Sequence, residues 1–130
     1  PVMGHVGLLP QTAESYRVRG KEEAEAEKIL SDALEVDKLG VFTIVLECIP
    51  ENLAKKITEA VEAPTIGIGA GKHCDGQVLV INDMLGFDES FTPKYLKRYA
   101  SLSQVIREAV TRFKEEVLEG KYPDKEHTYH

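Results

Sequence analysis

Val41-Phe-Thr-Ile-Val-Leu-Glu-Cys-Ile-Pro50 decides the fold. Six apolar or β-branched residues run to a carboxylate, and a proline follows shortly after. A strand so uniformly apolar has both faces covered, as in a parallel sheet. Working outward, Lys21 to Leu39 carries Ala26, Ile29, Leu30, Ala33 and Leu34 at helical spacing, and Gly40 stops it. Glu22, Glu23 and Glu25 suit the positive end of that helix. Before it, Pro1-Val-Met-Gly-His-Val-Gly-Leu8 reads as a first strand and its exit. After the quoted stretch, Glu51 to Val61 reads as a second helix, Pro64 to Ile68 as a third strand and Gln77 to Ile81 as a fourth. Thr92-Pro93 predicts a short helix. Ser101 or Ser103 is expected to cap a last helix running to about Glu119, with Leu102, Val105, Ile106, Ala109, Val110, Phe113 and Val117 as its apolar stripe. The tail from Gly120 reads as irregular surface.

Alternating strands and helices with continuous apolar strands mean a parallel α/β architecture. Two forms fit: a small open doubly wound sheet, or half of a (β/α)₈ barrel, which in full takes about 250 residues. The start at Pro1, directly before apolar Val2 and Met3, favours the half-barrel and a longer polypeptide.

Composition excludes several classes. The 130 residues hold 22 Asp+Glu against 16 Lys+Arg, a formal charge of −6, with no basic cluster suited to nucleic acid. No apolar run approaches the ~20 residues of a membrane helix, and no signal-peptide pattern opens the chain. Cys48 and Cys74 cannot build a disulfide framework and read as reduced thiols, so a cytoplasmic location is expected.

In parallel α/β folds the chemistry sits at the C-terminal strand ends. The exits here are Gly4-His5, Glu47-Cys48, Gly67-Ile-Gly-Ala-Gly71 and Asn82-Asp83. Glu47 is a general-base candidate, because a carboxylate behind six apolar residues is costly to desolvate without a partner or a task; a structural ion pair explains it equally well. His5, between Gly4 and Gly7, could bond a substrate oxygen, although a structural imidazole is the commoner case. The glycine-rich turn lacks the lysine–hydroxyl ending of a phosphate loop. His73-Cys74-Asp75 are adjacent, and neighbours rarely converge on one metal ion. Lys94, Lys97 and Arg98 read as a solvated face.

Taken together, Gly4-His-Val-Gly-Leu8 with Pro10-Gln11, Leu46-Glu-Cys-Ile-Pro50, Ile66-Gly-Ile-Gly-Ala-Gly71, Cys74-Asp-Gly-Gln77 with Asp83, Phe91-Thr-Pro-Lys-Tyr95 and Glu126-His127 resemble the ketopantoate hydroxymethyltransferases, in order along the whole chain. The resemblance implies a (β/α)₈ TIM barrel in which residues 1–130 form the C-terminal half, strands five to eight. It implies hydroxymethyl transfer from 5,10-methylenetetrahydrofolate to 3-methyl-2-oxobutanoate, giving 2-dehydropantoate for pantothenate biosynthesis. A divalent ion, normally Mg²⁺, holds the oxoacid in this family. Glu47 matches the family's proton acceptor and His5 a histidine beside the oxoacid. The metal-binding aspartates and a substrate-binding lysine belong to the other half, so no metal ligand is assigned in this chain and the segment alone is expected to be inactive. Leu9 replaces a common threonine, and the Thr12 to Gly20 loop is shorter than usual. The expected partners are the oxoacid, the folate, the missing N-terminal half and further copies, commonly in decamers. Another metal-assisted 2-oxoacid aldolase or lyase, or a non-catalytic fragment, are the alternatives.

Overall fold

A computed structural model describes all residues except Glu14, Phe91 and His130. They form two units, Pro1–Leu79 and Val80–His130.

The first unit is a parallel sheet with helices on one face. Strand β1 (Met3–Gly7) leads through helix α1 (Glu23–Lys38) to β2 (Thr43–Glu47), and α2 (Glu51–Ala60) leads to β3 (Thr65–Ile68). A two-residue β4 (Gly76–Gln77) completes the order β1-β2-β3-β4, all parallel. Unbroken sequential order separates the two architectures left open by the sequence. A doubly wound sheet reverses its strand order at a switch point, whereas a (β/α)₈ barrel adds each strand beside the last. The chain is therefore α/β with four parallel strands ordered as in a barrel.

Strand residues alternate between two faces. Val6, Ile44 and Leu46 join Ile29 and Ala33 of α1 and Leu53, Ala54 and Ile57 of α2 in one buried cluster. Gly4 belongs to the same face, where an added Cβ would overlap the Val36 side chain of α1. The alternate positions, among them Met3, His5, Val45 and Glu47, therefore lie on the face turned away from the helices. Asp37 ties the layers together at the far end: its two carboxylate oxygens accept the Glu62 and Ala63 N–H groups at 3.0 and 2.9 Å.

Four expectations need correction. The first strand does not end at Gly4-His5 but runs on to Gly7, so His5 is its middle residue and not its exit. The strand expected at Gln77 to Ile81 stops at Gln77, and Ile81 instead opens the short helix α3 (Ile81–Leu85). The cause lies in its neighbour: β3 ends at Ile68, and Gly69 turns away at φ +66°, so the ladder runs out at the Val78 N–H to Gly67 O bond of 3.0 Å. Asn82 and Asp83 therefore sit on a helix and not at a strand exit. Thr92-Pro93 makes one turn, closed by Leu96 N–H to Pro93 O at 3.0 Å, and no helix. A single turn does not repay the cost of helix nucleation. Finally, α4 (Leu102–Leu118) begins without a side-chain cap, because the Ser101 and Ser103 hydroxyls both donate to Glu89 Oε1, at 2.6 and 2.9 Å. Within this second unit no residue of α4 is buried, and Phe113 meets the Tyr122 ring edge-on at 5.3 Å.

Candidate active site

The register of β1 and β2 builds the site. His5 stands opposite Val45, and Glu47 lies two residues further along β2, so both side chains occupy the helix-free face as diagonal neighbours. Their tips meet: His5 Nε2 is 3.1 Å from Glu47 Oε2. The Glu47 side chain is only 12% exposed and that of His5 29%. Nε2 is closed off from solvent and lacks a well-directed hydrogen bond, so the contact is close but the ring is not aligned on the carboxylate.

The Glu47 backbone is held on both sides. Its carbonyl accepts the Leu8 N–H at 2.9 Å. The next residue, Cys48, adopts φ +49°, the left-handed region a side chain rarely enters. That turn is supported from two directions, with Cys48 N–H donating to Ile68 O at 2.9 Å and Cys48 O accepting Arg19 N–H at 2.8 Å. Burial, and then the Glu47 charge, push the Cys48 thiol up from its ordinary range. Gly7, the register partner of Glu47, has φ +95°, and a Cβ there would overlap the Glu47 carbonyl oxygen. The close approach of the two exits thus depends on glycine.

Beside this exit, Gly7, Leu9, Thr12, Ala13, Ser15, Arg17 and Arg19 line an open cavity of about 390 Å³. Leu9, the departure noted from the sequence, is partly exposed at its edge and accepts the Thr12 and Ala13 N–H groups in a tight turn. The loop is anchored by Glu25, which takes Arg19 Nε at 2.6 Å and Gly20 N–H at 2.7 Å. The sequence assigned Glu25 only to the helix dipole. In the fold these bonds hold its carboxyl below the usual range, the Gly20 N–H contributing most.

The remaining candidates separate. His73 approaches Glu51 at 3.4 Å, Cys74 packs beside Gly67, and the Asp75 carboxylate accepts the Thr65 N–H at 2.8 Å and the Thr65 hydroxyl at 3.1 Å. His73 thus turns to α2, while Cys74 and Asp75 both meet Thr65. The glycine-rich turn fits around a side chain: Gly71, at φ +79°, lies against Glu51, and its carbonyl accepts Gln77 Nε2 at 2.9 Å. Lys97 lies over the Tyr99 ring, while Arg98 donates to the Thr92 hydroxyl at 3.1 Å. Phe91, part of one resemblance motif, lies outside the described residues.

Magnesium wants a near-octahedral set of oxygen ligands. Among the described residues no three His, Cys, Asp or Glu converge, and the polar neighbour of Glu47 is an imidazole nitrogen. The described residues therefore do not by themselves supply such a set. Cys48 and Cys74 are free thiols, and among the described residues no helix is long and apolar enough to cross a membrane.

Comparison with known proteins adds an independent line. A family model described as ketopantoate hydroxymethyltransferase matches residues 1–125. A protein of Caldicellulosiruptor bescii named 3-methyl-2-oxobutanoate hydroxymethyltransferase is 54% identical over 99% of this chain and 50% of its own length. Proteins of the same name from Moorella thermoacetica and Pelobacter propionicus are 52% and 54% identical, again over 99% of this chain and 49% of theirs. The chain spans about half the length of the curated relatives it matches.

Proposed function

Because the chain belongs to the ketopantoate hydroxymethyltransferase family, we propose that it contributes the proton-abstracting part of a hydroxymethyltransferase acting on 3-methyl-2-oxobutanoate. The observation that carries this reading is the Glu47 carboxylate, nearly buried at the end of β2 on the helix-free face and held from behind by a pinned backbone. A carboxylate so placed removes the proton from C3, the carbon beside the keto group, and the C–H electrons pass into an enolate. The enolate carbon then bonds to the one-carbon unit of 5,10-methylenetetrahydrofolate; that carbon's two C–N bonds to the folate break, water supplies its hydroxyl oxygen, the two folate nitrogens take up the C3 proton and a proton of that water, and 2-dehydropantoate and tetrahydrofolate leave. Desolvation strengthens each electrostatic contact in such a pocket.

Residues outside this chain complete the site. The remaining strands of one closed (β/α)₈ domain, of which residues 1–130 are the C-terminal half, would cover the exposed Met3 and extend the β1 and β4 edges. Relatives of about twice this length support that reading. Any divalent ion would be gripped by that other half, and this chain alone is inactive. The exposed stripe of Val105, Val110, Phe113 and Val117 on α4 is apolar surface of the kind that assembly into homo-oligomers covers.

The test is Glu47→Gln in the complete polypeptide, read by deuterium exchange at C3 of 3-methyl-2-oxobutanoate and by product formation. We expect both to fall by at least about 100-fold, the range for losing a general base. Unchanged exchange would remove Glu47 from the reaction. Exchange and turnover without dependence on tetrahydrofolate would assign the site to a different 2-oxoacid lyase.

A further inference from the structure

We infer that His5 acts on Glu47 and not on the substrate: it is the positioning residue that orients the carboxylate. The inference rests on the reading of Glu47 as the base. The sequence, through its resemblance, places His5 beside the oxoacid, but the geometry gives the ring a different neighbour.

Three observations converge. First, the diagonal register brings Nε2 to 3.1 Å from Oε2, within hydrogen-bond range once the ring turns slightly. Catalytic hydrogen bonds without a bound substrate are often misaligned in this way and tighten on binding. Second, Nε2 is shut off from solvent and has no hydrogen bond to any other group of the described residues, so no competing protein acceptor among them draws it from Glu47. A buried ring nitrogen without a partner is costly, and Oε2 is the acceptor within reach. Third, the backbones of both residues are fixed. Glu47 is held through Leu8, and Cys48 beside it through Ile68 and Arg19, while His5 sits inside the β1–β2 ladder between Gly4, packed on Val36, and Val6 in the core. The freedom left to Glu47 is side-chain rotation. An Nε2–H donated to Oε2 removes it and leaves Oε1 with its lone pairs to take the C3 proton.

This role has a kinetic signature different from substrate binding. A group that orients the base affects the chemical step, whereas a group that binds the oxoacid equally in ground and transition states affects KM. In the complete polypeptide, His5→Ala should lower the maximal rate of C3 deuterium exchange about 10- to 100-fold, the effect of misplacing a reacting group. KM for 3-methyl-2-oxobutanoate should stay within about 3-fold. His5→Gln, whose amide can donate to Oε2, should recover most of the rate, and His5→Asn, which is shorter, should not. If His5→Ala fails to fold, the Gln and Asn pair makes the same comparison. In a Glu47→Gln background, His5→Ala should cost nothing further, since there is no base left to orient. A raised KM at unchanged maximal rate would overturn the inference and assign His5 to the substrate. So would a full further loss in the double variant, or equal rates for Gln and Asn. If Glu47→Gln itself leaves exchange intact, the base assignment fails first. If Glu47→Gln abolishes exchange while His5→Ala is silent, only the positioning role fails.

Discussion

Gly7→Ala tests whether the approach of β1 to β2 holds the site together. Gly7 has φ +95°, and its added Cβ would overlap the Glu47 carbonyl oxygen and sit 2.8 Å from Ile49 Cγ2. Three costs follow. A side chain at positive φ costs about 1–2 kcal/mol. Overpacking against a backbone atom and the buried Ile49 costs a further ~1–3 kcal/mol. If the strands separate to relieve it, the Leu8 N–H to Glu47 O bond is lost, for about 1 kcal/mol. Overpacking and strand separation are alternatives, so the total is about 2–5 kcal/mol, a large part of the ~5–15 kcal/mol that holds a typical protein folded. Gly40→Ala is the internal control, because Gly40 has φ +77° but nothing within 4 Å of its added Cβ. It should cost only the conformational ~1–2 kcal/mol. Urea unfolding of the complete polypeptide, with the denaturant slope unchanged, measures both. Where Gly7→Ala still folds, C3 exchange should fall about 100-fold, because a displacement near 1 Å at a reacting group has that effect. Equal stability of the two variants within about 0.5 kcal/mol would show that the two exits are not in tight contact, and the account of Glu47 as a pinned base would fall with it.

Two further predictions concern a buried bond at the start of β3 and the thiol beside Glu47. Asp75→Ala leaves the N–H of fully buried Thr65 without its acceptor and should cost about 1–3 kcal/mol, with Asp75→Asn milder. Thr65 holds the Asp75 carboxyl below the usual Asp range, chiefly through its N–H. The Asp75 contribution is therefore complete above that ordinary range and is lost as pH falls through the lower native value; Asp75→Asn should flatten the acid limb of stability against pH, and an unaltered limb would refute the assignment. Cys48, raised by burial and then by the Glu47 charge, should alkylate with iodoacetamide at pH 8 much more slowly than a free thiol, and Glu47→Gln should move the pH dependence of that reaction downward. This readout needs no catalytic activity, and no movement in Glu47→Gln would place the carboxylate away from the thiol.

Much of the architecture was legible in the residues. Uniformly apolar strands alternating with helical segments point to a parallel sheet, and helical spacing in the α1 and α2 segments identifies the face that covers it, so β1 to β3 and α1, α2 and α4 lie close to where the periodicity puts them. The extent of β4 was not legible, because a strand extends only as far as its neighbour, and β3 turns away at Gly69. The same holds for Ser101 and Ser103, whose hydroxyls are taken by Glu89 from twelve or more residues away.

For the site, the sequence by itself determined which residues could matter: a carboxylate closing one apolar strand and an imidazole on another, within a set of motifs specific enough to identify the family. Only the tertiary structure decided that they touch. Alternation along a strand assigns each side chain to a face, but the distance between side chains on different strands depends on register, and the β1–β2 register is what sets His5 diagonal to Glu47. The left-handed turn at Cys48 and the reach of Glu25 to Arg19 were equally hidden. The Cys48 turn is held by bonds to Ile68 and Arg19, both distant in sequence, whose energy outweighs local preference; Glu25 reaches only six residues back, but across a loop whose path no periodicity reveals.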